Sequence, residues 1–214
     1  KTDTETIKAL YISDVLENER NRLSGIIDVN EAITKYDELG ITINGDVISA
    51  NEGLFGPYHI HKDFGIKNGV IDSYILVLVR DYIDNGTEAN KERFIKLIRY
   101  MLDQGFADGS LLESSSHIGY STRSISSAVL LMKAELKAAG LWEEAYKMLH
   151  WYNTVEQIWQ PVSENVSESD HARTRVPAIL GTILHIDDPD LRVHYLKGYR
   201  QHIDTWLTAY SRGS

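Results

Sequence analysis

The stretch NKERFIKLIRYMLDQG, residues 90–105, sets the fold class. Phe94, Leu97, Ile98, Met101 and Leu102 stand at i, i+3, i+4, i+7 and i+8, the spacing of one helical face. Gly105 falls where a left-handed residue ends a helix. The segment upstream, VIDSYILVLVRDYIDNG (70–86), is apolar nearly all round, which predicts a helix covered on more than one side. Downstream, Ile125, Ala128, Val129, Met132 and Leu136 repeat the helical spacing as far as Gly140. WEEAYKMLHWYNTVEQIW (142–159) follows almost at once.

The ends of the chain read the same way. TETIKALYISDVLENERNRL (4–23) has polar caps at Thr2 or Thr4 and helical apolar spacing. NEAITKYDELG (30–40) predicts a helix capped by Asn30 and stopped at Gly40. HARTRVPAILGTILHI (171–186) is helical after Pro177. DDPDLRVHYLKGYRQHIDTWLTAYSRG (187–213) enters a helix through Asp-Pro and carries Leu196, Tyr199, Ile203, Trp206, Leu207 and Tyr210 on one face. Residues 41–69 are rich in Gly and Asn and predict a long irregular connection, with a short hairpin around Asn44-Gly45. Helices joined by short turns pack as antiparallel neighbours. The residues therefore predict an all-α array of helical hairpins, a solenoid, bundle or toroid, without a fixed-period repeat.

Composition narrows the function. The 214 residues suffice for one large domain, and we read 1–214 as a single helical domain. The net charge of -9 disfavours nucleic acid as a partner. With no cysteine, disulfides, thiolate metal sites and cysteine nucleophiles are excluded. The best apolar run, VIDSYILVLV, is too short to span a bilayer and contains Asp72, so no membrane partner is expected. No signal-peptide pattern is present, and the opening Lys1, without methionine, predicts a processed or excised piece.

Three clusters carry chemistry. In ESSSHIGYSTRS (113–124), Ser121 or Thr122 can cap the following helix, Gly119 frees the backbone, and His117, Tyr120 and Arg123 crowd together. A cation in a first helical turn opposes the macrodipole, a conflict that disappears if Arg123 binds an anion. The alternative is a capped turn with surface polar residues. His59 and His61 alternate in GPYHIHKDFG and, with Asp63, have the composition of a metal cluster, against an ordinary polar loop. In SESDHARTR, Arg173 and Arg175 suit a carboxylate or sulfate, and Asp170 and His171 stand beside them; local ion pairing at a helix entry is the competing reading. Trp142, Trp151, Trp159 and Trp206 are read as core before sugar-stacking platforms. No carboxylate pair stands out among the 31 acidic residues.

Taken in order, LDQGF (102–106), the His-x-Gly-Tyr-Ser-x-Arg run from His117 to Arg123, LLM…ELK (130–137) and the WY at 151–152 resemble the catalytic region of chondroitin sulfate ABC lyases, in polysaccharide lyase family eight. SESD…ILHIDDPD matches in spacing, and the resemblance runs from about Pro57 to the C-terminus. It implies an incomplete (α/α) toroid, companion β-sandwich and β-sheet domains elsewhere in a full-length chain, a secreted or periplasmic address, and sulfated glycosaminoglycan (chondroitin or dermatan sulfate) as substrate. A divalent cation is possible and no other cofactor is implied.

The implied reaction is β-elimination at a uronic acid. The family's principal His and Tyr are expected beyond residue 214, so the chain alone is expected to be inactive. Glucuronate and iduronate present their C5 protons on opposite faces, which requires a second base. The resemblance gives that auxiliary role, or uronate binding, to His117, with Tyr120, Arg123, Arg173 and Arg175 as substrate-binding residues. A toroidal glycoside hydrolase using two carboxylates and a non-enzymatic helical carbohydrate-binding scaffold are the alternatives.

Overall fold

The computed structural model describes residues 6, 28–51, 74–105, 107, 118–154 and 180–212, with side chains for all of these except 118–123, 150–154 and, Asp204 apart, 201–212. The described chain is mostly helical. Of the helix expected over 4–23, Thr6 is helical and the rest lies outside the described residues.

Helix α1 spans Val29–Asp37. Its cap is Asp28, whose Oδ1 accepts from the Glu31 N–H at 2.8 Å. The expected cap, Asn30, is instead inside the helix, and its carbonyl accepts from the Thr34 hydroxyl at 2.9 Å. Asp28 wins because its carboxylate meets both the free amides and the positive end of the dipole. Ala32 and Tyr36, one turn apart, face the core.

Strands β1 (Thr42–Asn44) and β2 (Val47–Ser49) form the expected hairpin, in register Thr42↔Ser49, Ile43↔Ile48 and Asn44↔Val47. The two central turn residues are Gly45 and Asp46, one position later than Asn44-Gly45. Only Gly45 of the two has positive φ (+61°), the pattern of a type II′ turn. The hairpin is tied to the end of α1 by Asn51, which donates its backbone N–H to the Leu39 carbonyl (2.8 Å) and its side-chain amide to the Glu38 carbonyl (2.6 Å). Gly40 makes this possible. Its φ is +58°, and a Cβ there would meet the Asn51 side chain at 2.8–2.9 Å.

Helices α2 (Ile75–Asn85) and α3 (Glu88–Asp103) are joined by Gly86 and Thr87 alone and fold back on one another. Ile75 through Val79 are all buried. A run of five covers every face of a helix, and α2 indeed packs against α1, α3 and α4. On α3, Phe94, Leu97, Ile98 and Met101 are buried as the spacing predicts, and Gly105 follows the helix with φ +85°.

A polar brace sits at the α2–α3 corner. Asp81 accepts from Asn85 (2.8 Å), from the fully buried Asn90 (2.7 Å) and from Thr87. The Thr87 hydroxyl therefore serves Asp81 and makes no cap bond to α3. Partial desolvation pushes the Asp81 pKa up, but these donors outweigh it and hold the carboxyl below its ordinary value. Arg93 donates to Asn90 Oδ1 at 2.9 Å and approaches Asp37 of α1 at 3.7 Å, so the brace spans three helices.

Helix α4 spans Ile118–Leu131 and α5 Lys133–Ala138. The sequence predicts one helix to Gly140. Met132 interrupts it with φ -95° and ψ 22°, yet Met132 N–H bonds Ala128 and Leu136 N–H bonds Met132, so the hydrogen-bond ladder crosses the break. Buried Met132 and Leu136 keep the shared apolar face pointed inward. After α5, Gly140 N–H bonds Lys137 and Leu141 N–H bonds Leu136, a Schellman closure, and α6 (Trp142–Thr154) starts after the three linking residues 139–141. These elements and α1–α3 share one core.

Residues 180–184 are helical and lead to α7 (Pro189–Arg212). The Asp-Pro entry is realised: Asp188 Oδ1 accepts from Asp190 N–H (2.9 Å) and Leu191 N–H (3.1 Å). Leu196 and Tyr199 pack on Ile183 and Ile186 as the apolar face predicts, and Tyr146 of α6 joins this cluster to the main core. No helix is long and apolar enough to cross a membrane among the described residues.

These contacts carry measurable consequences for stability. Asp81→Ala strands the buried Asn90 amide and should cost about 1–3 kcal/mol in urea unfolding at pH 7. Because the Asp81 pKa is depressed on folding, its contribution is complete above the ordinary value of 3.8 and drains as pH falls through the folded value; the gap between wild type and Asp81→Asn should close over that window. Gly86→Ala, with nothing within 4 Å of a Cβ, should cost about 1 kcal/mol, and Gly40→Ala about 2–3 because it also displaces Asn51. Tyr36→Phe removes a buried hydroxyl that has no hydrogen-bond partner among the described residues and should raise stability by about 1 kcal/mol.

Candidate functional site

The HIGYSTR run leads into α4, whose later part is held deep in the protein. Residues 124–130 are buried without a break, including Ser124, Ser126 and Ser127. All three serines have partners, and their small side chains let α4 lie close against α2 and α6. The N-terminal end of this helix carries the partial positive charge of the macrodipole and has no carboxylate in its first turn.

The details differ from the sequence expectation. α4 begins at Ile118, so Gly119 lies inside it and neither Ser121 nor Thr122 is its cap. Arg123 stands in the second turn, which removes the argument from a first-turn cation. The helix starts early because the amphipathic register set by Ile125, Ala128 and Val129 extends back through residues with no breaker other than Gly119. Tyr120 and Arg123 lie one turn apart on α4, and their side chains lie outside the described residues. So do His117, which directly precedes α4, and Arg173, Arg175, Asp170 and His171. His59, His61, Asp63 and Trp159 fall outside as well. Among the described residues no group of three His, Asp or Glu side chains is placed to hold a metal.

The described aromatic residues serve packing. Trp142 is 5% exposed, stacks on Tyr146 at 5.2 Å, lies under the Lys133 ammonium at 4.9 Å and tilts against His185 at 6.5 Å. The core reading of Trp142 therefore holds; Trp151 and Trp206 are helical, with side chains outside the described set. Tyr146 donates to the Thr182 carbonyl at 2.8 Å, and burial raises its pKa well above the ordinary value. Burial likewise pushes Tyr199 up to about 12. Buried His185 donates Nδ1–H to the Gly181 carbonyl at 2.8 Å. The Tyr146 hydroxyl thus ties α6 to the segment before α7, while the His185 bond closes its own helical turn.

Sequence reasoning passed over two arrangements. The Asp81–Asn90–Arg93 brace has only a weak local signal, a Thr beside Asn and Asp residues at a helical corner. The basic pair Lys96 and Arg99 was readable from its i, i+3 spacing on the polar side of α3.

Residues 79–213 match the protein family described as "Lyase, catalytic". The chain is 30% identical over 114 residues to a chondroitin sulfate ABC exolyase of Bacteroides thetaiotaomicron, covering 53% of this chain and 11% of that protein. It is 31% identical over 120 residues to a chondroitin sulfate ABC endolyase of Proteus vulgaris, covering 55% and 12%. A chondroitin sulfate ABC exolyase of Proteus vulgaris is 27% identical over 118 residues, again covering 55% and 12%. The chain thus spans 11–12% of the length of these curated relatives. With the match running from the buried centre of α2 to the end of α7, the chain belongs to the lyase catalytic family.

Proposed function

We propose that this chain is part of the helical catalytic domain of a polysaccharide lyase acting on chondroitin or dermatan sulfate. The carrying observation is the family match over 79–213, joined by similarity to three chondroitin sulfate ABC lyases. Consecutive helical hairpins, α2–α3 and α5–α6, support an incomplete (α/α) toroid over 1–214. The remaining domains of the full-length protein are its structural partners, and an extracellular or periplasmic polymer is the substrate.

In the reaction, a base removes the C5 proton of the uronate, the electron pair forms the C4–C5 double bond, and the C4–O4 bond breaks. An acid protonates the departing oxygen. The C5 proton is weakly acidic while the neighbouring carboxylate keeps its charge, so cations and hydrogen-bond donors must neutralise that carboxylate as the carbanion develops. The principal base and acid belong to residues beyond 214. Within the chain, His117 is the auxiliary base for the opposite C5 face. Arg123 and Tyr120 at the start of α4 bind the uronate, and Arg173 and Arg175 bind sulfate or carboxylate groups further along the polymer.

The full-length protein should release unsaturated, ultraviolet-absorbing uronate from chondroitin and dermatan sulfates, whereas the 214-residue chain alone should release none. His117→Ala should lower turnover of the iduronate-rich polymer by about 100-fold or more, the usual scale for a general base, and that of the glucuronate polymer far less. Reducing-end release without an absorbance rise would replace the lyase by a hydrolase.

A further inference from the structure

A groove of about 470 Å³ opens between α3, α5 and β1, none of which carries a residue of the proposed cleft. Its floor is apolar, made by Ile43, Ile95 and the two alanines Ala138 and Ala139. Lys96 and Arg99 stand on its α3 wall, three residues apart and so neighbours on the helix surface. Among the described residues neither makes an ion pair or side-chain hydrogen bond. The other charges are partly committed. Lys91 pairs with Glu88 and lies 5.5 Å over the Tyr82 ring, while Glu135 accepts the Tyr82 hydroxyl at 3.2 Å. Glu92, the remaining carboxylate, is exposed.

Acidic residues outnumber basic ones 31 to 22, so a basic side chain here has no shortage of carboxylates. Among the described residues these two adjacent cations form no ion pair, although Glu92 stands one turn before Lys96 in the same groove, and they lie above an apolar floor. A small inorganic anion has no use for the floor, and an apolar peptide has none for the cations. A sugar polymer with acidic groups uses both: ring C–H faces on Ile43 and Ile95, sulfate or carboxylate on Lys96 and Arg99. We infer that this groove is a second holding site for an anionic polysaccharide, apart from the catalytic cleft, which retains the polymer between cleavage events. The inference rests on the glycosaminoglycan reading above.

The test uses the full-length protein with polymeric chondroitin sulfate and with a chondroitin tetrasaccharide, following both equilibrium binding and initial rates at 0.1 M salt. Lys96→Glu/Arg99→Glu should raise polymer Kd and KM about tenfold with kcat unchanged, an effect that fades as salt screens the charges. Tetrasaccharide kinetics should not move. Lys147→Glu/Lys197→Glu changes net charge equally, on α6 and α7, and should stay within about twofold of wild type. Should the charge reversals not fold, Lys96→Gln/Arg99→Gln should still give about a threefold loss. Equal effects in the groove and control variants, no effect in either, or no polymer binding by wild type each overturn the groove. Polymer binding without unsaturated product overturns the lyase reading instead and leaves the binding comparison to decide the groove.

Discussion

Five consecutive apolar residues, Ile75–Val79, impose the main constraint on this architecture. A helix with one apolar face needs one neighbour; a helix buried on every side must be surrounded. α2 is enclosed by α1, α3 and α4, and each of those helices owes its place to that requirement. Burying each such side chain contributes about 1.5–3 kcal/mol, and five of them together outweigh any single polar contact described. The capping bonds and the Asp81 brace then select one arrangement among the apolar packings. They fix where α2 ends, how sharply α3 turns back and how α1 lies across both.

The same hierarchy explains what the amino-acid order revealed. Apolar periodicity is a local signal that tertiary packing reinforces, so α2, α3 and the Asp188 entry of α7 were readable directly. Boundaries depend on competition between adjacent candidates. Asp28 displaced Asn30, Gly45-Asp46 displaced Asn44-Gly45, and α4 ran past Ser121 and Thr122. The break at Met132 had no sequence mark, since neither Gly nor Pro stands there and Met132 itself fits the apolar pattern. The candidate site was readable only as an ordered set of motifs. His117, Arg173 and Arg175 have residue types suited to an anionic substrate, and spacing alone does not encode whether positions so far apart in the chain meet.

Polar groups inside the described core belong to the scaffold. Thr182, His185, Ser124 and Asn90 are buried and partnered, and Tyr146 and Tyr199 are held in their neutral form by burial. A titratable side chain in this protein is therefore no guide to chemistry unless it also faces a cleft.

The clasp made by Asn51 has an evolutionary corollary. By bonding back to Glu38 and Leu39, it returns the chain to the point from which the hairpin departed. The segment between is closed at its root and packs Ile41 and Ile48 on the core, while the exposed Val47 stands beside its tip. Lengthening the turn at Gly45-Asp46 changes neither the exit from α1 nor the approach to the segment that follows, and each doubling of such a loop costs only about 0.6 kcal/mol in closure entropy. The tip is thus where this domain can gain residues or accept a fused peptide, provided that Ile41 and Ile48 keep their places against the core.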